Sequence, residues 1–91
     1  MRVGKRFVVA GRVQGVGFRY FTLDTARREG LHGTVQNLED GRVEILASGE
    51  AEAMTRFEMA IRRGPTGARV DDVLVEPGPP GAATPQFRIL P

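Results

Sequence analysis

A chain of 91 residues allows one folded domain, 1–91, with a small core, because about 60–65% of the unfolded surface is buried at this size. Charged residues make up 26% and hydrophobic ones 41%, the balance of an ordinary soluble globular protein. Cysteine is absent, which excludes disulfides, thiolate chemistry and sulfur metal ligands, and a net charge of +2 suits a local anion site better than a nucleic-acid groove. Arg2, Lys5 and Arg6 precede only four apolar residues, too few for a signal-peptide core. No apolar run reaches the roughly 20 residues that span a bilayer, so neither a membrane nor nucleic acid is an expected partner and the cytoplasm is the expected location. Twelve arginines against one lysine, six prolines and a single asparagine, Asn37, point to a G+C-rich or thermophilic source.

The Phe- and Val-rich stretch Arg6–Gly11 reads as a strand. A glycine-rich run follows and leads into a helix over Phe18–Glu29, with Phe18, Phe21, Thr25 and Ala26 on one side and Gly30 as its stop. Leu31–Leu38 and Arg42–Ser48 form two strands around Asp40-Gly41, a strong hairpin signal. Glu50–Arg63 is a second helix whose apolar stripe is Met54, Phe57 and Ile61; glutamates sit at its start and Arg62-Arg63 at its end, as the helix dipole favours. Gly64-Pro65 breaks it. Val70–Glu76 is a strand and Phe87–Leu90 a short one on a sheet edge, joined by an ordered or semi-rigid proline-rich connection over Pro77–Pro85. The order βαββαβ predicts an α+β ferredoxin-like sandwich, an antiparallel sheet with two helices on one face.

The run Gly11-Arg12-Val13-Gln14-Gly15-Val16-Gly17-Phe18-Arg19 carries the chemistry. Backbone N–H groups in a glycine-rich strand-to-helix turn converge on oxyanions, and the helix end adds partial positive charge. Arg19 adds a planar fork of donors that matches a phosphate. The P-loop pattern does not fit, because Phe18-Arg19 follows Gly17 in place of Lys-Ser/Thr. The dinucleotide fingerprint does not fit either, because Tyr20 stands where its third glycine belongs. On the three glycines alone, a plain strand-to-helix turn without a ligand is the commoner case, and Arg19 shifts the balance only somewhat.

Over Gly11–Glu44 the chain resembles the acylphosphatase family, whose signature pairs G-R-V-Q-G-V-x-F-R with G-x-V-x-N-x-x-D-G-x-V-E. The second half is present as Gly33-Thr34-Val35-Gln36-Asn37-Leu38-Glu39-Asp40-Gly41-Arg42-Val43-Glu44. Gly64-Pro65 and Ala68-Arg69-Val70 are similar to the family's approach to its fourth strand, so the resemblance covers nearly the whole chain. Thr34 departs from it, since many relatives have a bulky aromatic there; the change bears on packing or the site rim. The resemblance implies hydrolysis of an acyl phosphate to carboxylate and inorganic phosphate, with no metal or cofactor. It implies that the backbone amides of Gln14, Gly15, Val16, Gly17, Phe18 and Arg19, with the Arg19 side chain, cradle the phosphoryl oxygens. Asn37 then holds the attacking water, whose proton passes to a substrate phosphate oxygen. The expected partners are the small acyl phosphate and, as competing ligands, inorganic phosphate or sulfate; the chain is expected to act as a monomer.

Two other functions share this fold. An RNA-recognition module stacks bases on aromatics of its central strands, but Arg42–Ser48 has none and the RNP motif is absent. A carbamoyl-phosphate-handling module of a larger enzyme needs further domains, and none is expected here. His32, the single histidine, lies outside both matched segments and is not expected to be catalytic. Asp40 reads as a turn residue, Glu44 as a strand-face residue, and Arg27-Arg28 and Arg62-Arg63 as solvated helix-end charges.

Overall fold

The computed structural model describes residues 1–78 and 86–91. In chain order it holds β1 (Arg2–Arg12), α1 (Phe18–Arg28), β2 (His32–Asn37), β3 (Val43–Glu50), α2 (Ala51–Arg63), β4 (Arg69–Pro77) and β5 (Arg88–Ile89). The strands form one sheet in the order β4-β1-β3-β2-β5. The two helices pack against each other and against this sheet, α1 on β2 and β5 and α2 on β1, β3 and β4. This is the ferredoxin-like α+β arrangement.

Strand alternation decides which side chains meet the helices. Phe7 and Val9 of β1 pair with Ile45 and Val43 of β3, and Val35 of β2 pairs with Ile45. These apolar residues share the helix-facing side and are buried with Met54, Phe57 and Ile61 of α2. Phe57 is fully buried between Phe7, at a ring distance of 5.8 Å, and Phe87, at 6.2 Å. Burying one such ring contributes about 1.5–3 kcal/mol. On α1 the buried set is Phe18, Thr22, Thr25 and Ala26, while Phe21 is half-buried against the core. Two threonines fit there because each hydroxyl donates back along the helix, Thr22 to the Phe18 carbonyl at 2.9 Å and Thr25 to that of Phe21 at 2.8 Å.

The sheet is mixed, which corrects the expectation of a purely antiparallel one. β3 and β4 occupy both edges of β1, and β1 and β2 occupy both edges of β3, so only β4 and β2 keep a free edge. The terminal pair Arg88–Ile89 takes the edge of β2 and runs parallel to it. The Leu90 amide donates to the Val35 carbonyl at 2.8 Å, and Phe87 reaches the core beside Phe57. β1 is longer than expected at both ends, and β4 extends to Pro77. The connection expected over Pro77–Pro85 falls, from residue 79 to residue 85, outside the described residues. Among the described residues, no helix is long and apolar enough to cross a membrane.

The other face of the sheet carries a polar network. Arg6 donates to Glu44 at 2.8 Å and to Glu76 at 2.6 Å, and Gln36 donates to the second oxygen of Glu44 at 2.8 Å. Glu44 is thus a strand-face residue, as its position suggests, and Asp40 is a turn residue that accepts from the Arg42 side chain at 2.8 Å and its amide at 3.1 Å. The hydrogen bond from Gln36, then the one from Arg6, holds the Glu44 carboxyl below the ordinary value of 4.5 despite partial desolvation. A carboxyl lowered in the folded state contributes stability above its unfolded pKa and loses it as pH falls through the folded value. The melting temperature should therefore hold from neutrality to about pH 5 and fall below about pH 4.5. Glu44→Gln should flatten part of that fall when melting is followed by circular dichroism from pH 7 to pH 3. An identical acid slope in the variant would remove Glu44 from the account.

Candidate active site

The site lies where the β1–α1 connection meets the β2–β3 hairpin. Val13, Gly15, Gly17, Phe18, Arg19, Tyr20 and Asn37 line a pocket of about 130 Å³. A water occupies about 30 Å³ of liquid, so this space suits a group the size of a tetrahedral oxyanion. Gly15 and Gly17 have φ values of +75° and +77°, in the left-handed region that glycine enters without strain. Gly17 is the residue before α1 and offers no side-chain cap. The Phe21 amide donates to the Gly17 carbonyl at 3.0 Å, which closes the first turn. The amides of Phe18, Arg19 and Tyr20 precede that bond and have no acceptor within the helix. The first turn of α1 contains no acidic residue, whereas that of α2 contains Glu52.

Arg6 and Arg19 are the two half-buried arginines; the others are exposed. Arg6 is doubly ion-paired. Arg19 has neither an ion pair nor a side-chain hydrogen bond among the described residues, and it lines the pocket. Across from it, the Oδ1 of Asn37 is buried and has no hydrogen-bond donor. Leaving a buried acceptor unpaired costs about 1–3 kcal/mol, so both groups are positioned to gain from a ligand with oxygens and O–H groups. Among the described residues no cluster of histidine and carboxylates could hold a metal ion.

Of the residues expected at the site, the structure brings together Gly15, Gly17, Phe18, Arg19 and Asn37. Phe18 contributes backbone only, since its ring is buried in the core. Val16 is not on the pocket wall and packs partly into the core. Gln14 is not on the wall either: its side chain turns to the hairpin, donating from Nε2 to the carbonyls of Leu38 at 2.8 Å and Arg42 at 3.0 Å. Tyr20 sits at the mouth, 67% exposed. Val13 lies within the matched run but is not among the residues expected at the site; it is buried and lines the pocket.

Residues weighed as alternatives lie elsewhere. His32 opens β2 and Asn37 closes it, five residues and therefore roughly 16 Å apart. His32 instead lines a separate surface groove with Arg27, Leu31 and Phe87. Thr34 pairs with Leu46 on β3 and Arg88 on β5 and does not reach the pocket. Arg27 and Arg62 are not simply solvated, since Arg27 donates to the Phe87 carbonyl at 3.4 Å and Arg62 pairs with Glu58 at 3.1 Å.

The acylphosphatase family model matches residues 5–89. A curated protein named acylphosphatase from Koribacter versatilis is 46% identical over 85 residues, covering 93% of this chain and 77% of its own. The crystal structure of acylphosphatase from Bacillus subtilis superposes with a TM-score of 0.92 at 41% identity, covering 99% of both chains. T. kodakarensis HypF contains the same fold as a segment: this whole chain matches 12% of that one, with a TM-score of 0.81 and 30% identity. With the family's signature in both halves and its model spanning residues 5–89, the chain belongs to the acylphosphatase family of hydrolases.

Proposed function

We propose that this pocket hydrolyses the carboxyl–phosphate mixed anhydride of acyl phosphates by the chemistry of the β1–α1 turn, Arg19 and Asn37. The observation that carries the reading is that Arg19, without an ion pair or side-chain hydrogen bond among the described residues, and the unpaired Oδ1 of Asn37 line one small glycine-walled pocket. The phosphoryl group sits on the amides around Gly15–Arg19, with the Arg19 guanidinium spanning two of its oxygens. These donors stabilise the charge that spreads over the equatorial oxygens in the transition state. The Asn37 Oδ1 accepts from the attacking water and aims its oxygen at phosphorus.

The proton inventory fixes the remaining step. Among the described residues the pocket wall carries no histidine, lysine or carboxylate, and Arg19 and Tyr20 are its ionisable side chains. Neither can act as a base, so the water proton passes to a phosphoryl oxygen of the substrate. Water oxygen bonds to phosphorus, the bond from phosphorus to the acyl oxygen breaks, and the carboxylate leaves with the electron pair. The lining comes from the β1–α1 connection, the start of α1 and β2, and the reading takes residues 1–91 as one unit that acts as a monomer. The RNA-binding alternative is not favoured: the face of the sheet away from the helices carries Arg6, Glu44, Gln36 and Glu76, and the strand aromatic Phe7 is fully buried on the helix side.

Arg19→Ala should lower kcat/KM for benzoyl phosphate by about 10³-fold, and Arg19→Lys by at least about 10²-fold, because a point charge does not reproduce the fork. Near-normal turnover by Arg19→Lys would rule out two-point binding. Asn37→Ala should lose about 10²-fold in kcat yet keep its affinity for inorganic phosphate, since the partner of Asn37 is the water. Loss of phosphate affinity with retained kcat would reverse the assignment.

Inorganic phosphate at ten times its Kd should stabilise the fold by about 1.4 kcal/mol, raising the melting temperature by roughly 5–10 °C. Arg19→Ala should lose most of this shift and His32→Ala should keep it, with ionic strength matched by sodium chloride. Equal shifts in wild type and Arg19→Ala would exclude the turn as a phosphate site. Phosphate release from benzoyl phosphate should persist after exhaustive treatment with EDTA; activity lost to the chelator and restored by a divalent ion would defeat the metal-free mechanism.

A further inference from the structure

We propose that the Gln14 side chain is a positioning residue that fixes Asn37 relative to the phosphate-binding turn. The two halves of the pocket come from segments far apart in sequence, residues 13–20 and residue 37. Gln14 is the side-chain link between them: its Nε2 donates to the Leu38 carbonyl at 2.8 Å and to the Arg42 carbonyl at 3.0 Å. Both N–H bonds of the amide are thereby used. Those two carbonyls are also the ones that close the hairpin, since the Leu38 amide donates to Arg42 at 2.8 Å and the Gly41 amide to Leu38 at 3.2 Å. Asp40 holds Arg42 from the other side through its amide and side chain. Gln14 therefore grips the hairpin at Leu38 and Arg42, the residues just after Asn37 and just before its strand partner Val43.

The chemistry requires such a link. The turn orients phosphorus and Asn37 orients the water, so the attack angle depends on how the two segments sit relative to each other. Displacing a reacting group by about 1 Å can lower a rate by roughly 10²-fold. A glutamine suits the task because its amide offers two donors to two acceptors. A glutamate of the same shape offers only acceptors to the two carbonyls and repels them. The backbone amides of the Gly15–Arg19 cradle are retained in any substitution of the Gln14 side chain.

This inference rests on the acyl-phosphate reading for its kinetic arm, and a second arm is independent of turnover. Gln14→Met and Gln14→Glu retain length at a half-buried position. Gln14→Met should lower kcat for benzoyl phosphate by roughly 10- to 100-fold while the Kd for inorganic phosphate stays within about twofold of wild type; Gln14→Glu should lower kcat at least as far. In an Asn37→Ala background, Gln14→Met should cost no further turnover, because the residue it positions is gone. Losses that multiply, or a phosphate Kd that weakens in step with kcat, would overturn the proposal. Asn37 is the single asparagine of the chain, so selective ¹⁵N-asparagine labelling isolates its side-chain amide in an NMR spectrum. In the ligand-free protein, Gln14→Met should shift that signal pair or broaden it; an unchanged pair would overturn the proposal. A wild type inactive on acyl phosphates would defeat the functional reading, and the NMR arm would still decide whether Gln14 holds Asn37.

Discussion

The site depends on the antiparallel register of β1 on β3. Val9 lies opposite Val43, so the end of the first strand stands beside the start of the third, next to the hairpin that precedes it. The turn after β1 and the end of β2 become neighbours only because of that pairing. The apolar pattern locks the register. A slip of one residue would send Phe7 and Val9 to the polar face and bring Arg6 and Val8 under the helices. Burial of Phe7, Val9, Val43 and Ile45 is thus both the cohesion of the fold and the ruler that sets the distance across the pocket.

Two half-buried arginines show how the same side chain serves opposite ends. Arg6 lies among Glu44 and Glu76, and its charge is neutralised within the sheet surface. Arg19 stands at a helix start with no acid in the first turn, so its field and that of the free amides add. Placing a carboxylate near Arg19 would tie it down as Arg6 is tied down. The electrostatics of the pocket come from what is kept away from it as much as from what it holds.

Much of this was legible from sequence because the signals are local. Gly15 and Gly17, the Asp40-Gly41 turn and the Met54, Phe57 and Ile61 stripe each announce a backbone geometry within a few residues. The role of the Gln14 side chain was not legible, because its acceptors are backbone carbonyls, which every residue possesses. The pairing of Glu44 with Arg6 and Gln36 needed the strand register, which a single sequence does not state. The place of β5 beside β2 depends on which sheet edges the longer strands leave free, a global property, and its parallel direction is likewise not written in its own residues. Thr22 was passed over for burial because its polarity hides a hydroxyl already bonded to its own helix.

β5 is two residues long, yet it covers the outer edge of β2, the strand that ends in Asn37. A bare strand edge is a template for another chain, and β2 without β5 would offer Thr34 and Val35 to any extended segment that met it. Such pairing would recruit the Asn37 strand into an intermolecular sheet. The terminal residues therefore act as a guard against self-association. The contact joins positions 35 and 89, so it closes a long loop, an entropic cost that the pairing and the burial of Phe87 must offset.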